Sequence, residues 1–251
     1  MPVLLEIKEK IGWLTLSRPE RHNALDCTMK ADLEAKVAEL ERAAGSAEIR
    51  VVVVNGAGRS FCSGADLGML RSFSAAQARQ FMWEATVAFR RLEALSTPVV
   101  AAIHGWCLGG GLELLLHCDL AIAAQDATLG FPEVSMGLTT TAGAAVRLMS
   151  IVGVMHARNM LLTAEKLTAE QAFQIGLVSR VAPSSVDFDT AVHDYVIRMA
   201  SYPREGLGAI KRLIAKPLHN TYSAGWISEL LEFEELLRGP SNGLAALKLK
   251  G

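Results

Sequence analysis

Two glutamates, each next to an unusual stretch of backbone, are the residues of this sequence best suited to chemistry. Glu113 comes three residues after Gly110 in the glycine run 109–111, and Glu133 follows Pro132 in a short extended piece. A glycine run at the start of a helix leaves backbone N–H groups free for a ligand, at the positive end of the helix dipole. A carboxylate one turn later can then exchange a proton with that ligand.

A second segment of the same design lies earlier in the chain. Residues 52–66 combine a β-branched run, a glycine-rich loop and the start of a predicted helix. Such a junction points backbone N–H groups at whatever lies beyond the strand end. In the first segment, the three successive glycines 109–111 would each destabilise a helix interior by about 0.5–1 kcal/mol relative to alanine. Their presence therefore indicates a position where a ligand approaches the backbone closely. The two segments therefore predict two sets of amides that face a ligand.

Each titratable candidate has an ordinary structural alternative. Glu113 sits among four leucines, where an unpaired charge is expensive, so a functional role is favoured over a helix-surface role. Glu133 has the competing interpretation of a solvated loop carboxylate, and catalysis is favoured there too. Asp66 is expected to cap a helix or hold the loop. His104 and His117 flank the glycine run and are expected to be core histidines.

The elements that must position these residues alternate between strand and helix. Residues 49–55 are β-branched without alternation, which indicates a strand buried on both faces of a mainly parallel sheet. Ser74 and Gln77 form a capping-box pattern that marks the start of a helix. Strands are also predicted at 3–9, 13–17, 99–104 and 119–123, helices at 28–44 and 74–95, and a helix-and-strand unit at 168–181.

The pattern changes after Pro183. Residues 187–200, 204–215 and 222–238 have helical periodicity and contain no convincing strand. We therefore predict an α/β core at residues 1–183, which carries the site. A helical C-terminal region at 184–251 is expected to pack on that core or on a neighbouring subunit.

Composition excludes several classes of partner. The 251 residues carry a net charge of −1 and show no basic stripe, so neither nucleic acid nor an anionic membrane is an expected partner. The longest uncharged run, residues 94–112, is interrupted by proline and glycine and indicates a soluble core segment. No secretory signal is visible. The four cysteines have no zinc or disulfide spacing, which predicts no metal site and a reducing, cytoplasmic location.

Several segments of the chain, taken in order, resemble the crotonase family, also called the enoyl-CoA hydratase/isomerase family. The resemblance covers about the first three quarters of the sequence, and the combination of segments is specific although each one alone is modest. It implies an α/β fold in which ββα units form a spiral around a mostly parallel core sheet. The segments are residues 18–25, 52–66, 109–114, 117–123, 131–134 and 169–181.

The resemblance implies a role for each candidate residue. Ala65 and Gly110 match the two positions whose N–H groups form the family's oxyanion hole. Glu113 and Glu133 match the two catalytic glutamates of the hydratases. Arg21 is the candidate for the phosphates of coenzyme A, with Arg18 second. The other residues expected to bind coenzyme A are Ala24, Ser63, Ala65, Asp66 and Leu67, and those expected in the acyl pocket are Met69, Leu70, Trp106 and Gly109.

The activity that this resemblance implies is the hydration of trans-2-enoyl-CoA to 3-hydroxyacyl-CoA. Coenzyme A is then part of the substrate, and no metal or redox cofactor is expected. Alternatives are Δ3-Δ2 enoyl-CoA isomerisation, acyl-CoA thioester hydrolysis and a non-catalytic acyl-CoA-binding subunit. The sequence argues against a nicotinamide oxidoreductase, because Phe61 occupies the third glycine position of a dinucleotide fingerprint and the expected N-terminal βαβ context is missing. The family implies a homo-oligomer, a trimer or a dimer of trimers.

One segment departs from the family pattern. Many members have a proline and several glycines after the second glutamate, whereas residues 137–147 of this chain include three successive threonines, Thr139 to Thr141. The added methyl and hydroxyl groups are expected to narrow the pocket or to move the water.

Overall fold

The computed structural model describes residues 1–214, so the helix predicted at 222–238 lies outside the described residues. Two short 3-10 helices occur at Pro19–Arg21 and Glu133–Met136. The strands are β1 (Val3–Lys8), β2 (Ile11–Leu16), β3 (Val51–Gly56), β4 (Val99–Ile103), β5 (Trp106–Leu108), β6 (Leu120–Ala123), β7 (Thr128–Gly130), β8 (Lys166–Thr168) and β9 (Arg180–Val181). The α-helices are α1 (Cys27–Gly45), α2 (Leu67–Ser72), α3 (Ala75–Glu93), α4 (Gly110–Leu115), α5 (Ala144–Val152), α6 (Val154–Thr163), α7 (Ala169–Gln174), α8 (Phe188–Ala200) and α9 (Arg204–Ile214).

The main sheet has the strand order β1-β2-β3-β4-β6-β9. Strand β1 pairs with β2 in antiparallel fashion, and every following pair in this sheet is parallel. A smaller sheet of order β5-β7-β8 stands beside it. The predicted α/β class with a mostly parallel core sheet is therefore confirmed. Within residues 1–214, none of the helices combines the length and the apolar character needed to cross a bilayer.

Strand β3 is covered on both faces, as its lack of alternation predicts. Residues 51–54 are fully buried. Val52 and Val54 belong to the cluster that contains the apolar faces of α1 and α3, whereas Val51 and Val53 belong to a second cluster with Val192 and other residues of α8. Strands in a parallel sheet need helices on each side to stay dry. Helix α8 supplies the second cover, although it follows the boundary predicted at residue 183.

The long helices begin and end where local sequence signals place them. In α1 the predicted face of Met29, Leu33, Val37 and Leu40 is buried, and the Asp26 side chain accepts a hydrogen bond from the Met29 N–H. In α3 the predicted capping box is confirmed, because Ser74 and Gln77 each bond the backbone N–H of the other.

Two groups of elements were not predicted. Strands β5, β7 and β8 have three residues each, which is too short for a period of two to be recognised. Helices α5 and α6 start after Gly143 and Gly153, whose positive φ angles turn the chain without a side-chain cap. Neither helix therefore carries the Ser, Thr, Asp or Asn that usually marks a helix start.

A buried ion pair joins α9 to the main sheet. The Lys211 ammonium group donates to Asp119 Oδ2 at 2.7 Å and to the Thr97 carbonyl oxygen at 3.0 Å. Asp119 Oδ2 also accepts the Val99 N–H at 2.8 Å, so the pair reaches the start of β4. Lys211 is only 6% exposed, and a buried charge of this kind requires its partner.

Replacing Lys211 by methionine should destabilise the fold. The substitution keeps the apolar stem but leaves the Asp119 carboxylate without its cation, which costs about 3 kcal/mol in free energy of unfolding. Urea denaturation measures the loss. Lys8→Met, at the exposed end of β1, is the control and should change that free energy by less than about 0.5 kcal/mol. Equal stabilities for the two variants would contradict a structural role for the pair.

Candidate active site

A cavity of about 650 Å³ lies between the glycine run, helices α2 and α3, and the 3-10 helix Glu133–Met136. This volume is typical of a small-molecule site. Most of the residues predicted for the site line the cavity together. They are Arg21, Ala24, Ser63, Ala65, Asp66, Leu67, Leu70, Trp106, Gly109, Gly110, Glu113 and Glu133.

The two glycine-bearing segments meet through hydrogen bonds between their backbones. The Cys62 N–H donates to the Trp106 carbonyl oxygen at 2.9 Å, and the Leu108 N–H donates to the Cys62 carbonyl oxygen at 3.0 Å. These two bonds hold the loop after β3 against the entry to α4. The same loop is also tied to the segment before α1, because the Leu25 N–H donates to the Gly64 carbonyl oxygen at 2.8 Å.

The amides of Ala65 and Gly110 lie close together as a result. A Cβ built on Gly110 would stand 3.6 Å from the Ala65 nitrogen, and one built on Gly64 would stand 3.2 Å from the Gly110 nitrogen. Neither N–H donates a hydrogen bond to any group in residues 1–214. Both residues line the cavity, so two unused donors are available at one place.

Two of the three glycines in the run serve protein packing. Gly109 has a φ of +50°, and a Cβ there would come within 2.6 Å of Glu133 Oε1. A Cβ on Gly111 would collide with the Cys62 carbonyl oxygen, which accepts the bond that joins the two segments. Gly109 and Gly110 both line the cavity, but the Gly109 N–H donates to the Gly130 carbonyl oxygen, whereas the Gly110 N–H has no partner in residues 1–214. The glycines thus permit close approach of protein groups as well as access to an amide.

Glu113 projects from the first turn of α4 and is 5% exposed. Burial raises the pKa of its carboxyl group above the ordinary value of 4.5. Thr141 opposes this shift, because its N–H donates to Oε1 and its hydroxyl donates to Oε2 at 2.9 Å. Hydrogen bonds to the charged form favour ionisation, so Glu113 is equipped to be a carboxylate in an apolar site.

Glu133 has a different environment. Burial raises the pKa of its carboxyl group to about 7, with a further increase from the negative charge of Glu113, while its own backbone N–H opposes the shift. Its Oε2 atom is buried and has no hydrogen-bond partner in the described part of the chain. A carboxyl group with a pKa near neutrality can hold or release a proton at physiological pH. The two glutamates therefore form a pair with unequal proton affinities.

The charged residues at the cavity rim have distinct roles. Arg18 is engaged inside the protein, because its guanidinium group lies 2.9 Å from Asp66 Oδ2 and 3.3 Å from Asp26 Oδ2. Asp66 caps α2 through the N–H groups of Gly68 and Met69. Burial raises the pKa of Asp66, but these bonds and Arg18 outweigh it and hold that pKa below its ordinary value. Arg21 lines the cavity and is the basic residue better placed for an anionic ligand.

The predicted acyl-pocket residues are not all in one place. Leu70 lines the cavity, whereas Met69, the next residue back on α2, lies over a separate surface depression with its sulfur 3.6 Å from that of Cys27. Consecutive residues on a helix point about 100° apart, and here Leu70 faces the cavity while Met69 faces the separate depression. Trp106 lies against His22, with ring centroids 4.5 Å apart.

Helix α3 contributes cavity residues that the sequence did not single out. Phe81, Met82 and Phe89 line the cavity and form part of its apolar wall together with Leu70. These three residues are one, seven and eight positions apart on α3, as on a helix face that is turned toward the core. The spacing alone does not distinguish a residue that packs in the core from one that lines a cavity. Thr141 was also missed as a partner of Glu113. The threonine run at 139–141 was the available signal.

The two histidines beside the glycine run contact backbone groups. His117 is buried, and its Nδ1 lies 2.8 Å from the Glu113 carbonyl oxygen. His104 Nε2 lies 3.0 Å from the Gly58 carbonyl oxygen. Neither residue lines the cavity.

Comparisons with known proteins identify the family of this chain. The chain is 36% identical over 190 residues to a short-chain-enoyl-CoA hydratase of Clostridium acetobutylicum, covering 75% of this chain and 72% of the relative. It is 35% identical to a 2,3-dehydroadipyl-CoA hydratase of Escherichia coli, covering 90% and 87%. The solved structure of an enoyl-CoA hydratase from Thermoplasma volcanium superposes with a TM-score of 0.92 at 33% identity, covering 100% and 98%. The family model for enoyl-CoA hydratase/isomerase matches residues 6–241, and the chain therefore belongs to the enoyl-CoA hydratase/isomerase family, the crotonase family.

Proposed function

We propose that this chain hydrates trans-2-enoyl-CoA to 3-hydroxyacyl-CoA with two glutamates and a pair of backbone amides. The observation that carries the proposal is the arrangement in one cavity of the free Ala65 and Gly110 N–H groups with the buried carboxyl group of Glu113 and the half-buried Glu133. Relatives named as enoyl-CoA hydratases, at 35% and 36% identity, support the substrate class.

The mechanism follows from where charge develops. Water attacks C3 of the enoyl thioester, and the electron pair of the C2=C3 bond moves toward the carbonyl to give an enolate. The amides of Ala65 and Gly110 stabilise the charge on that oxygen, because preorganised donors need no reorganisation. Glu113, as the carboxylate, accepts the proton of the attacking water. Glu133, as the acid, donates a proton to C2. Dehydration exchanges these roles.

The cavity also offers places for the coenzyme A part and the acyl part of the substrate. Coenzyme A lies along the loop 63–67, with Arg21 facing its phosphates, and the acyl chain lies against α3. The reaction adds water without a change of oxidation state, so it needs no redox cofactor, and the two amides supply the polarisation that a metal ion could otherwise provide. The four cysteines are free thiols, which suits a reducing cytoplasm.

Glu113→Gln and Glu133→Gln should each lower kcat for hydration of crotonyl-CoA by about 10² or more, because each removes one proton transfer. Loss of the absorbance of the conjugated thioester measures the rate. Glu39→Gln, on the outer side of α1 where it pairs with Lys36, is the matched control and should keep the activity of the unmodified chain.

Three other results would contradict this mechanism. Turnover of 3-enoyl-CoA alone, dependent only on Glu133, would identify an isomerase. Release of free coenzyme A would identify a thioester hydrolase. Tight binding of the thioester without any turnover would identify a binding subunit.

The pH profile of kcat/KM should be bell-shaped. Glu133 must be protonated to act as the acid, so the rate should fall as the pH rises through its pKa of about 7. Glu113 must be ionised to act as the base, so the rate should fall as the pH drops through its pKa, which lies above 4.5. Steady-state rates between about pH 5 and about pH 9 test this, and the apparent values belong to the coupled pair. A rate that stays constant to about pH 9 would contradict the acid role of Glu133.

We also propose a homo-oligomer, a trimer or a dimer of trimers. Large apolar side chains are exposed on α5 and α6, with Val146 at 69%, Met155 at 73% and Leu162 at 72%, and such a surface is typical of an interface. Sedimentation should give three or six times the chain mass of 27.0 kDa. A particle with the mass of one chain at micromolar concentration would contradict this assembly.

A further inference from the structure

Thr141 contacts both oxygens of the Glu113 carboxylate. Its backbone N–H donates to Oε1, and its hydroxyl donates to Oε2 at 2.9 Å. The same hydroxyl oxygen lies 3.8 Å from the sulfur of Met82 on α3, a residue that lines the cavity. Each carboxylate oxygen retains a second lone pair for a water molecule. One residue thus orients the carboxylate and leaves it free to react.

The local backbone aims the Thr141 side chain at Glu113. Ala142 and Gly143, the next two residues, have φ angles of +52° and +72°, which turn the chain into α5. The Ala144 N–H donates to the Thr141 carbonyl oxygen at 2.9 Å and closes this turn. Any residue except proline at position 141 could donate its backbone N–H to Glu113. The bond to Oε2 requires a side-chain donor, which the threonine hydroxyl supplies and an apolar residue such as valine lacks.

We propose that Thr141 is a positioning residue. Its hydroxyl holds Glu113 in one orientation and in its ionised form, as the base of the reaction requires. This inference rests on the proposed hydratase function and deepens it. It assigns a role to the threonine run at 139–141, where the chain departs from its family. The hydroxyl acts on the base through its hydrogen bond to Oε2.

The charges around Glu113 make such a donor valuable. Glu133, from the 3-10 helix, is the acidic neighbour, and burial together with the negative charge of Glu113 raises the pKa of Glu133. The Cys62 thiol, from the loop after β3, has a pKa raised by burial to about 12 and stays neutral. Burial lowers the pKa of His117, on the same segment as Glu113, so this histidine is also uncharged at neutral pH. None of these groups supplies a positive charge, so Thr141 carries the stabilisation of the carboxylate.

The test compares two variants at Thr141 with a control variant at the neighbouring Thr140. Thr141→Val keeps the shape and the backbone N–H but removes the hydroxyl, whereas Thr141→Ser retains it. Thr140→Val makes the same chemical change one residue earlier, outside the cavity lining. The acid limb of the kcat/KM profile in Thr141→Val should move to higher pH by about one unit, because the charged form loses a hydrogen bond. Thr141→Ser and Thr140→Val should keep the original profile.

A second measurement separates this inference from the proposed function. The carboxyl 13C resonance of Glu113, assigned by its loss in Glu113→Gln, reports the ionisation of this group without any turnover. Its titration midpoint should rise by about one pH unit in Thr141→Val. An unchanged midpoint would overturn the role of Thr141 even if hydration is observed. A shifted midpoint in a chain that hydrates no enoyl-CoA would support the hydrogen bond and overturn the proposed function instead.

Discussion

The hydrogen bonds between Cys62 and β5 are the constraint on which the rest of the site depends. Parallel pairing of β3 with β4 brings the ends of both strands to one edge of the sheet, but it does not set the distance between the loops that follow. The Cys62 bonds to Trp106 and Leu108 set that distance. Gly111 has to be a glycine because a Cβ would displace the Cys62 carbonyl oxygen from this pairing. The closeness of the Ala65 and Gly110 amides follows from these bonds.

Glu113 and Glu133 lie near these amides in the same cavity, where two negative charges would be unfavourable. The two glutamates differ in how their surroundings compensate for this. Glu113 is buried and Glu133 is half-buried beside the cavity, and loss of contact with water penalises the charged form of each. Glu113 has two donors from Thr141, whereas Glu133 has a buried oxygen without a partner. Unequal hydrogen bonding therefore separates the proton affinities of two chemically identical groups. An acid and a base at one site require such a separation.

Much of the fold could be predicted because its signals are local. The unbroken valines of β3, the buried face of α1 and the capping box of α3 are each written within a few residues. The site was harder, because its geometry depends on side-chain direction. Met69 and Leu70 are equally apolar in sequence, and only the rotation of α2 puts one of them in the cavity. The bond from Thr141 to Glu113 joins residues 28 positions apart, which no local pattern records.

Helices α8 and α9 connect the C-terminal region to this site through the main sheet. Val51 and Val53 of β3 have side chains on the face that α8 covers, and Lys211 of α9 reaches the start of β4 through Asp119. Ala65 lies in the loop after β3, and Gly110 follows β5, the strand that comes directly after β4 in the chain. Without α8 the apolar face of β3 would be exposed to water, and an exposed parallel sheet is not stable. The spacing of the two amides therefore depends on helices that contribute no residue to the described cavity.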